Sequence, residues 1–532
     1  MLAAKKYDAS LQSEKFDAII IGSGISGLST AVFLAKAGKK VLVLEQHFKA
    51  GGYTHIFKRK DFEWDIGVHY IGDVHKENSA LKILFEDITD KALQWAPMDA
   101  VYDRMIFPDH SYDFVAGREN FIEKMTTYFP DERDAIVQYL DLVKQSVRSA
   151  RNFFVNKALS PVQAKLSYPV MSAAFHKFSD QTTFQVLSQL TMNKNLIGVL
   201  TGQWGDYGLP PGQSTFAMHA MLVNHYLDGG NYPIGGSARF AATIIPVIEK
   251  NHGKVVVSAE VDEILIHKEQ AVGVRLNNGD ELTAPIVISS AGVFNTFGRL
   301  VKGEDVQKQL QEVQRSSSYF CLYIGFNKTA HELGLQKTNL WVYPDYDHDK
   351  TVENFAKDPE SNPLPVAYLS FASAKDPSWD QRHPGTATME IVGMAPFAMF
   401  DKWRGSVWQK RDEEYLKTKE QMTERLLEQA FSVLPHLRGK VDYLEASTPL
   451  TTKHFSGYEF GELYGLNHNP VRMRQKWLRP QTAVKNLYLT GQDITTAGIG
   501  GALMAGVLTA SAILKRNVID DVVERRTLIR KE

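Results

Sequence analysis

Phe16-Asp-Ala-Ile-Ile-Ile-Gly22-Ser-Gly24-Ile-Ser-Gly27-Leu-Ser-Thr-Ala-Val-Phe-Leu-Ala-Lys-Ala37 decides the fold of this chain. The run up to Gly22 has the length and apolarity of a strand buried on both faces. Residues 23–37 continue as a helix and stop at Gly38, a residue suited to a helix C-terminus. Lys40-Val-Leu-Val-Leu-Glu45 is a second buried strand. The head of the chain is therefore a βαβ unit.

Gly22-x-Gly24-x-x-Gly27 sits at the turn from strand into helix. The first glycine permits the tight turn, the second lets the backbone approach a pyrophosphate, and the third lets helix pack on strand. Unpaired N–H groups and the positive end of the helix dipole then face the phosphates. Ser23, Ile25 and Ser26 fill this loop, the serines as phosphate-loop residues rather than nucleophiles. Glu45 ends the next strand, 18 residues after Gly27. There a carboxylate accepts hydrogen bonds from a ribose diol and repels a 2′-phosphate. NAD and FAD both use this fingerprint. The continuation Glu45-Gln-His-Phe-Lys-Ala-Gly-Gly-Tyr-Thr54 adds Gly51 and Gly52, where a second backbone segment can approach the dinucleotide, as in flavoproteins.

The middle of the chain differs. Residues 120–145 and 182–200 carry helical patterns with an apolar face. Strands return at 254–258, 260–267, 271–276 and 286–290, with Asn277-Asn-Gly279 as a hairpin turn between two of them. Further strands are expected at 319–326, 340–343, 366–371 and 386–392, and a charged helix at 409–433. A strand at 486–490 and an apolar helix at 500–514 end the pattern. The polar, proline-containing stretch 345–365 reads as a surface loop.

With 60 Lys+Arg against 61 Asp+Glu, the formal charge of −1 removes the broad electrostatic argument for nucleic acid. The single cysteine, Cys321, lies in an apolar strand and admits neither an intramolecular disulfide nor a cysteine metal site. No histidine spacing suggests a metal. Residues 1–14 lack the apolar core of a signal peptide, and no run of about 18 apolar residues predicts a spanning helix. A cytoplasmic protein is expected, with room for peripheral membrane contact.

Longer stretches carry a resemblance. Residues 45–57, with Phe62-Glu-Trp-Asp-Ile-Gly-Val-His-Tyr-Ile-Gly72, resemble the retinol saturase group of the carotenoid isomerase and phytoene desaturase family, within the amine oxidase clan. Tyr232-Pro-Ile-Gly-Gly-Ser237, Ser370-Phe-Ala-Ser-Ala-Lys-Asp-Pro-Ser-Trp379, Asn486-Leu-Tyr-Leu-Thr-Gly-Gln-Asp493 and Gly498-Ile-Gly-Gly-Ala-Leu-Met-Ala-Gly506 are similar to that family in the same order. The resemblance implies an α/β fold: a Rossmann-type FAD-binding lobe from residues 1–75, 231–300 and 480–532, and a second α+β lobe for substrate from 76–230 and 301–479. The second lobe would hold a mostly antiparallel sheet and helices.

The resemblance also implies roles. Gly22, Gly24 and Gly27 hold the pyrophosphate, and Glu45 the adenosine ribose. His47 and Lys49 take positions where relatives place basic residues near the adenosine or phosphates, and Gln46 is counted among the cofactor-binding residues. Gly51, Gly52, Tyr53 and Thr54 line the ribityl and phosphate side, although Tyr53 stands where the amine oxidase form has arginine. Val261 supplies backbone groups to adenine. Asp493 bonds a ribityl hydroxyl or reaches the phosphates through water, with Gly491 beside it in cofactor binding, and Ile499 and Gly500 open a helix aimed at the flavin pyrimidine ring. The implied chemistry is saturation, isomerisation or desaturation of C=C bonds in a retinoid, carotenoid or unsaturated fatty acyl chain, on non-covalent FAD. A flavin-containing lipid carrier without turnover is the other reading. His69, Tyr70 and Tyr464 fall beside the reactive end and are candidates to donate a proton; a packed aromatic lining is the alternative for them. No second nucleotide fingerprint exists, so electrons would come from transient NAD(P)H contact, a separate reductase or a quinone pool. Residues 160–175 and 187–204 are the amphipathic candidates for membrane contact, with Arg525, Arg526, Arg530 and Lys531 adding attraction to anionic lipid.

Overall fold

The computed structural model describes residues 4–303 and 307–529, and in it the strand Ala18–Ile21 is buried along its whole length. It lies inside a six-stranded sheet ordered Lys5–Lys6, Lys254–Val257, Val41–Leu44, Ala18–Ile21, Val287–Ser289 and Leu487–Leu489. Every neighbouring pair is parallel, with Ile20 beside both Val43 and Ile288. Such strands read as unbroken apolar runs because helices or loops cover both faces. The helix Ile25–Lys36 is buried at every residue but Lys36, as an all-apolar helix must be. The helix Gly498–Leu514 crosses it so closely that a Cβ at Gly506 would overlap Ser29.

A seven-stranded sheet runs Tyr443–Ser447, Tyr319–Phe326, Ala387–Met394, Ala367–Ser370, Asn339–Val342, Val101–Ile106 and Ser111–Val115. It is antiparallel except between Asn339–Val342 and Val101–Ile106. The parallel strands all fall within 1–75, 231–300 and 480–532, and the seven within 76–230 and 301–479. The core beneath the parallel sheet also takes in Leu84, Phe85, Ile88 and Leu93, beyond the expected boundary at 75.

Several elements depart from the sequence reading. The helix of 120–145 is two, Arg118–Tyr128 and Arg133–Ala158, because Pro130 lacks the N–H a helix interior uses. The helix of 182–200 is also two, Thr183–Leu187 and Lys194–Leu200, the second started by the Asn193 side chain accepting from the Leu196 N–H. The loop 345–365 contains the helix His348–Lys357, capped by Asp347. The turn at Asn277–Gly279 leads into a three-residue strand, Glu281–Thr283; Val287–Ser289 belongs to the parallel sheet instead. Val101–Ile106 escaped notice because buried Asp103 and adjacent Arg104 interrupt its apolar pattern.

Candidate active site

A cavity of about 2050 Å³ lies against the carboxyl ends of Ala18–Ile21 and Val41–Leu44. Its far wall is formed by Cys321, Tyr323, Tyr368 and Val392 of the seven-stranded sheet. Ligand sites of open α/β sheets sit at this end of the strands. The volume exceeds the ~300–1,000 Å³ of a drug-sized ligand site. It has room for a dinucleotide and an elongated second ligand together.

All expected site residues line this cavity except Ser23 and Gly27. Gly27 holds helix to strand instead: a Cβ there would overlap the Gly22 carbonyl oxygen. Ser23 braces the loop from behind, donating to Glu45 and accepting the Gly51 N–H at 3.0 Å. Gly22 adopts φ +96°, a turn open to glycine, whereas Gly24 caps the helix with open space where its Cβ would be. Gly52 approaches Gly24 so closely that a Cβ would lie 2.9 Å from the Gly24 Cα. Two glycine-bearing segments thus form one cradle. Glu45 also accepts the His47 N–H at 2.8 Å.

Two buried polar atoms on this wall, the Tyr53 hydroxyl and Asp493 Oδ1, make no well-aligned hydrogen bond, and Asp493 Oδ1 lies against Gly465. Burial raises the Asp493 carboxyl, whose other oxygen accepts the Val293 N–H at 2.8 Å. A buried acceptor without an aligned donor beside a glycine cradle fits a bound, hydroxyl-rich dinucleotide. Lys49 lies close by, its Nζ donating to the Ile56 carbonyl at 2.9 Å. His47 accepts the Lys49 N–H on Nδ1 and burial lowers its pKa, so it serves as a neutral ring rather than a basic group. Gln46 donates to the Phe455 carbonyl. Gly491 takes φ +114°, and Ile499 and Gly500 lie in the first turn of Gly498–Leu514.

At the opposite end stand the acid candidates. His69 Nδ1 is 3.1 Å from Glu390 Oε2 but is not aligned to hydrogen-bond it. Burial and nearby Lys375 push His69 down to about 3, so the ring is neutral and has no proton to spare. Tyr464 donates to the Gly205 carbonyl at 2.9 Å, which occupies its proton. Tyr70 stacks on Tyr226 with ring centroids 4.0 Å apart, and its hydroxyl lies 3.0 Å from both Asp103 Oδ2 and Asp206 Oδ2. Around them is a buried ionisable cluster. Burial and the Glu390 charge push Asp65 up to about 7, and burial pushes Glu390 to about 8. Burial lowers Lys375 to about 7; its Nζ donates to the His69 carbonyl, Ser370 Oγ and Asn339 Oδ1.

Sequence reasoning missed Asp206, Lys375 and Arg472. Lys375 lay inside the quoted stretch Ser370–Trp379 without a role. Asp206 stands between glycines, in Gly205-Asp-Tyr-Gly208, a signal that could have marked a tight turn at a wall. Arg472 had no signal; it ties down the final signature by donating to the carbonyls of Leu466, Gln492, Asp493 and Thr495. Cys321, expected inside a strand, faces the cavity. Burial pushes its thiol up to about 12, which leaves it a poor nucleophile.

Of the membrane candidates, residues 187–204 are buried from Leu196 on, where Leu196, Ile197, Val199, Leu200 and Trp204 pack in the core, while Met192 ahead of them is exposed. The helix Pro161–Ser179 is different, with Val162, Leu166 and Val170 exposed by 70%, 77% and 83% on one stripe. Its first residues, Pro161 and Gln163, line the cavity. Arg525 is paired with Asp87 at 2.9 Å, and Arg526 with Glu77, so neither is a free tail charge. Arg530 and Lys531 lie outside the described residues. Among the described residues no single helix is long and apolar enough to cross a membrane.

Comparison with known proteins bears out the resemblance. The profile of the flavin containing amine oxidoreductases matches residues 25–514. All-trans-retinol 13,14-reductase of Danio rerio is 36% identical, with 96% of this chain and 88% of that protein aligned. A second Danio rerio protein, named inactive all-trans-retinol 13,14-reductase, is 35% identical over 98% of this chain and 90% of its own length. Putrescine oxidase bound to putrescine shares the fold at a TM-score of 0.61 and 15% identity, covering 94% of this chain and 100% of that one.

Proposed function

The chain belongs to the flavin containing amine oxidoreductase family, and we propose that it is an FAD-dependent oxidoreductase that reduces a double bond of a long polyene lipid. The observation that carries this reading is one continuous cavity: a glycine cradle and the buried Asp493 carboxyl at one end, an aromatic wall at the other. A bound flavin supplies hydride through its N5 atom. The protein does the rest. Gly22, Gly24, Gly51 and Gly52 give the backbone access a pyrophosphate needs, with Glu45 toward the ribose and Asp493 toward the ribityl hydroxyls. Tyr319, Trp341, Tyr368 and Val392 hold an extended apolar chain and keep water from it. The relatives support a retinoid as that chain, since the name of the reductase relative gives all-trans-retinol as its substrate.

In this reading FAD is held without a covalent bond, and acid precipitation should release all of the flavin. Residues 1–75, extended to about 93 by the helix Ala80–Ile88, together with 231–300 and 480–532, form the cofactor lobe, and the rest the substrate lobe. Electrons reach the flavin from NAD(P)H or a separate reductase. The exposed stripe of Pro161–Ser179 adjoins the cavity and would rest on a membrane, where a polyene lipid resides.

The test is to incubate photoreduced holoprotein with all-trans-retinol and analyse the products by mass. A gain of two hydrogens supports the reading. Recovery of an isomer of unchanged mass would replace it with redox-neutral isomerisation. The inactive relative favours one other reading, a flavin-containing lipid carrier, and tight retinol binding with no product at all would establish that instead.

A further inference from the structure

The Tyr70 hydroxyl has one proton and two carboxyl neighbours. Asp103 Oδ2 and Asp206 Oδ2 each lie 3.0 Å from it. A phenol can donate to one of them; the other contact needs a proton from the carboxyl side. Burial raises the Asp103 carboxyl, but hydrogen bonds from Asn339, Gln203 and Tyr70 oppose that and support its charged form. Its Oδ2 also accepts Gln203 Nε2 at 2.7 Å, and its Oδ1 accepts Asn339 Nδ2 at 2.9 Å. Amide donors on both oxygens favour the charged form. Asp206 has no such support. Among the described residues only Tyr70 hydrogen-bonds its carboxyl, and the Lys375 ammonium exerts only a weak pull on it. Asp206 nonetheless lines the cavity and is only partly covered.

We infer that Asp206 is the catalytic acid of this site: it carries a proton at rest and delivers it to the substrate carbon, while Tyr70 and Asp103 position it. This rests on the double-bond reduction proposed above. In the resting arrangement the Asp206 O–H donates to Tyr70 Oη, and Tyr70 donates to the Asp103 carboxylate. Rotation about the Asp206 Cβ–Cγ bond, a broad two-fold torsion, turns the O–H into the cavity. The O–H bond then breaks, and a C–H bond forms with the π electrons of the opening C=C bond. The other carbon would take hydride supplied by a bound, reduced flavin. Asp206 is left as a carboxylate that Tyr70 can hydrogen-bond, and water returns the proton.

The surroundings agree. Burial, with the Asp103 charge, pushes Asp206 up to about 8, against a weaker opposing pull from Lys375. Tyr226, Tyr319, Tyr343, Tyr368 and Tyr464 complete the shell and are neutral phenols. A carboxyl in apolar surroundings beside a second, well-solvated or hydrogen-bonded carboxylate is a recurrent way to keep an acid protonated near neutral pH.

Two measurements test this. Infrared difference spectroscopy of oxidised holoprotein without substrate reads the carbonyl stretch of a protonated carboxylic acid. The wild type minus Asp206→Asn spectrum should contain such a band, sensitive to deuterium oxide, fading as pH rises through about 8. Tyr70→Phe should shift the band without removing it, which a merely structural tyrosine would not do. In single turnovers of photoreduced protein with all-trans-retinol, Asp206→Asn should slow reduction by about 10²–10⁴-fold at unchanged flavin content. Asp206→Glu should recover part of that loss, and it replaces the asparagine variant in both measurements if that variant does not fold. Absence of the band, or turnover of Asp206→Asn at the wild-type rate, overturns the inference. If wild-type protein itself leaves retinol unchanged, the substrate reading fails, and the infrared band alone decides whether Asp206 stores a proton.

Discussion

Glu45 holds Ser23 twice through one oxygen: Oε2 accepts the Ser23 N–H at 2.9 Å and its hydroxyl at 2.6 Å. The same hydroxyl oxygen accepts the Gly51 N–H. One serine outside the cavity therefore links the ribose acid, the phosphate loop and the Gly51-Gly52 pair. Ser23→Ala would leave the buried Gly51 N–H unpaired, at a cost of about 1–3 kcal/mol. The expected result is flavin affinity weakened roughly tenfold or more, measured by titrating apoprotein with FAD. Unchanged affinity would show that the cradle holds without this link.

Two glycines only three residues apart should fail in different ways. Gly24→Val puts its side chain into open cavity, so the protein should fold and purify colourless. Gly27→Ala drives a Cβ into the Gly22 carbonyl and should lower the melting temperature along with flavin content. Absorbance at the flavin bands and thermal unfolding, taken together, separate the two.

The buried carboxyls predict a direction for pH dependence. Asp65 and Glu390 have folded pKa values of about 7 and 8, above those of unfolded carboxyls near 4. The folded state then binds more protons than the unfolded state between those limits, so this contribution to stability falls as pH rises from about 4 to 8. Lys375, lowered to about 7, adds the opposite slope between about 7 and 10. Because the groups titrate as a set, the test is comparative. Melting temperature measured from pH 5 to 7 should fall less steeply in Glu390→Gln than in wild type; parallel curves would contradict the assignment.

Val162, Leu166 and Val170 are exposed, so changing all three to serine should leave stability within about 1–2 kcal/mol. Wild-type protein should rise with liposomes in a flotation gradient, and the triple variant should stay at the bottom. Wild-type protein that remains at the bottom with both neutral and anionic liposomes would remove the membrane contact.

Much of the cofactor end was legible because its physics is local. A glycine spacing, an apolar run and an acid at a strand end are all fixed within thirty residues or so. The reactive end was not. Tyr70 could be named as a cavity residue, but its partners Asp103 and Asp206 come from a strand and a turn far along the chain. Arg472 gathers four carbonyls that no pattern connects. Asp103 even hid its own strand, since a buried charge paired by tertiary contacts looks in sequence like a solvent-facing one.

The parallel sheet joins the two ends of the sequence. Leu487–Leu489 completes its edge beside Val287–Ser289, and Gly498–Leu514 covers Ile25–Lys36. During synthesis the βαβ unit emerges more than 400 residues ahead of Leu487–Leu489 and Gly498–Leu514. Until these follow, its apolar helix is covered only in part, by Arg239–Lys250 and Ala80–Ile88, and the wall bearing Asp493 does not exist. The newborn chain must wait in a partly open state that invites chaperones and aggregation. Cofactor capture is thus a closing event in this protein's assembly, and a cell short of flavin would hold chains that are finished but unsealed.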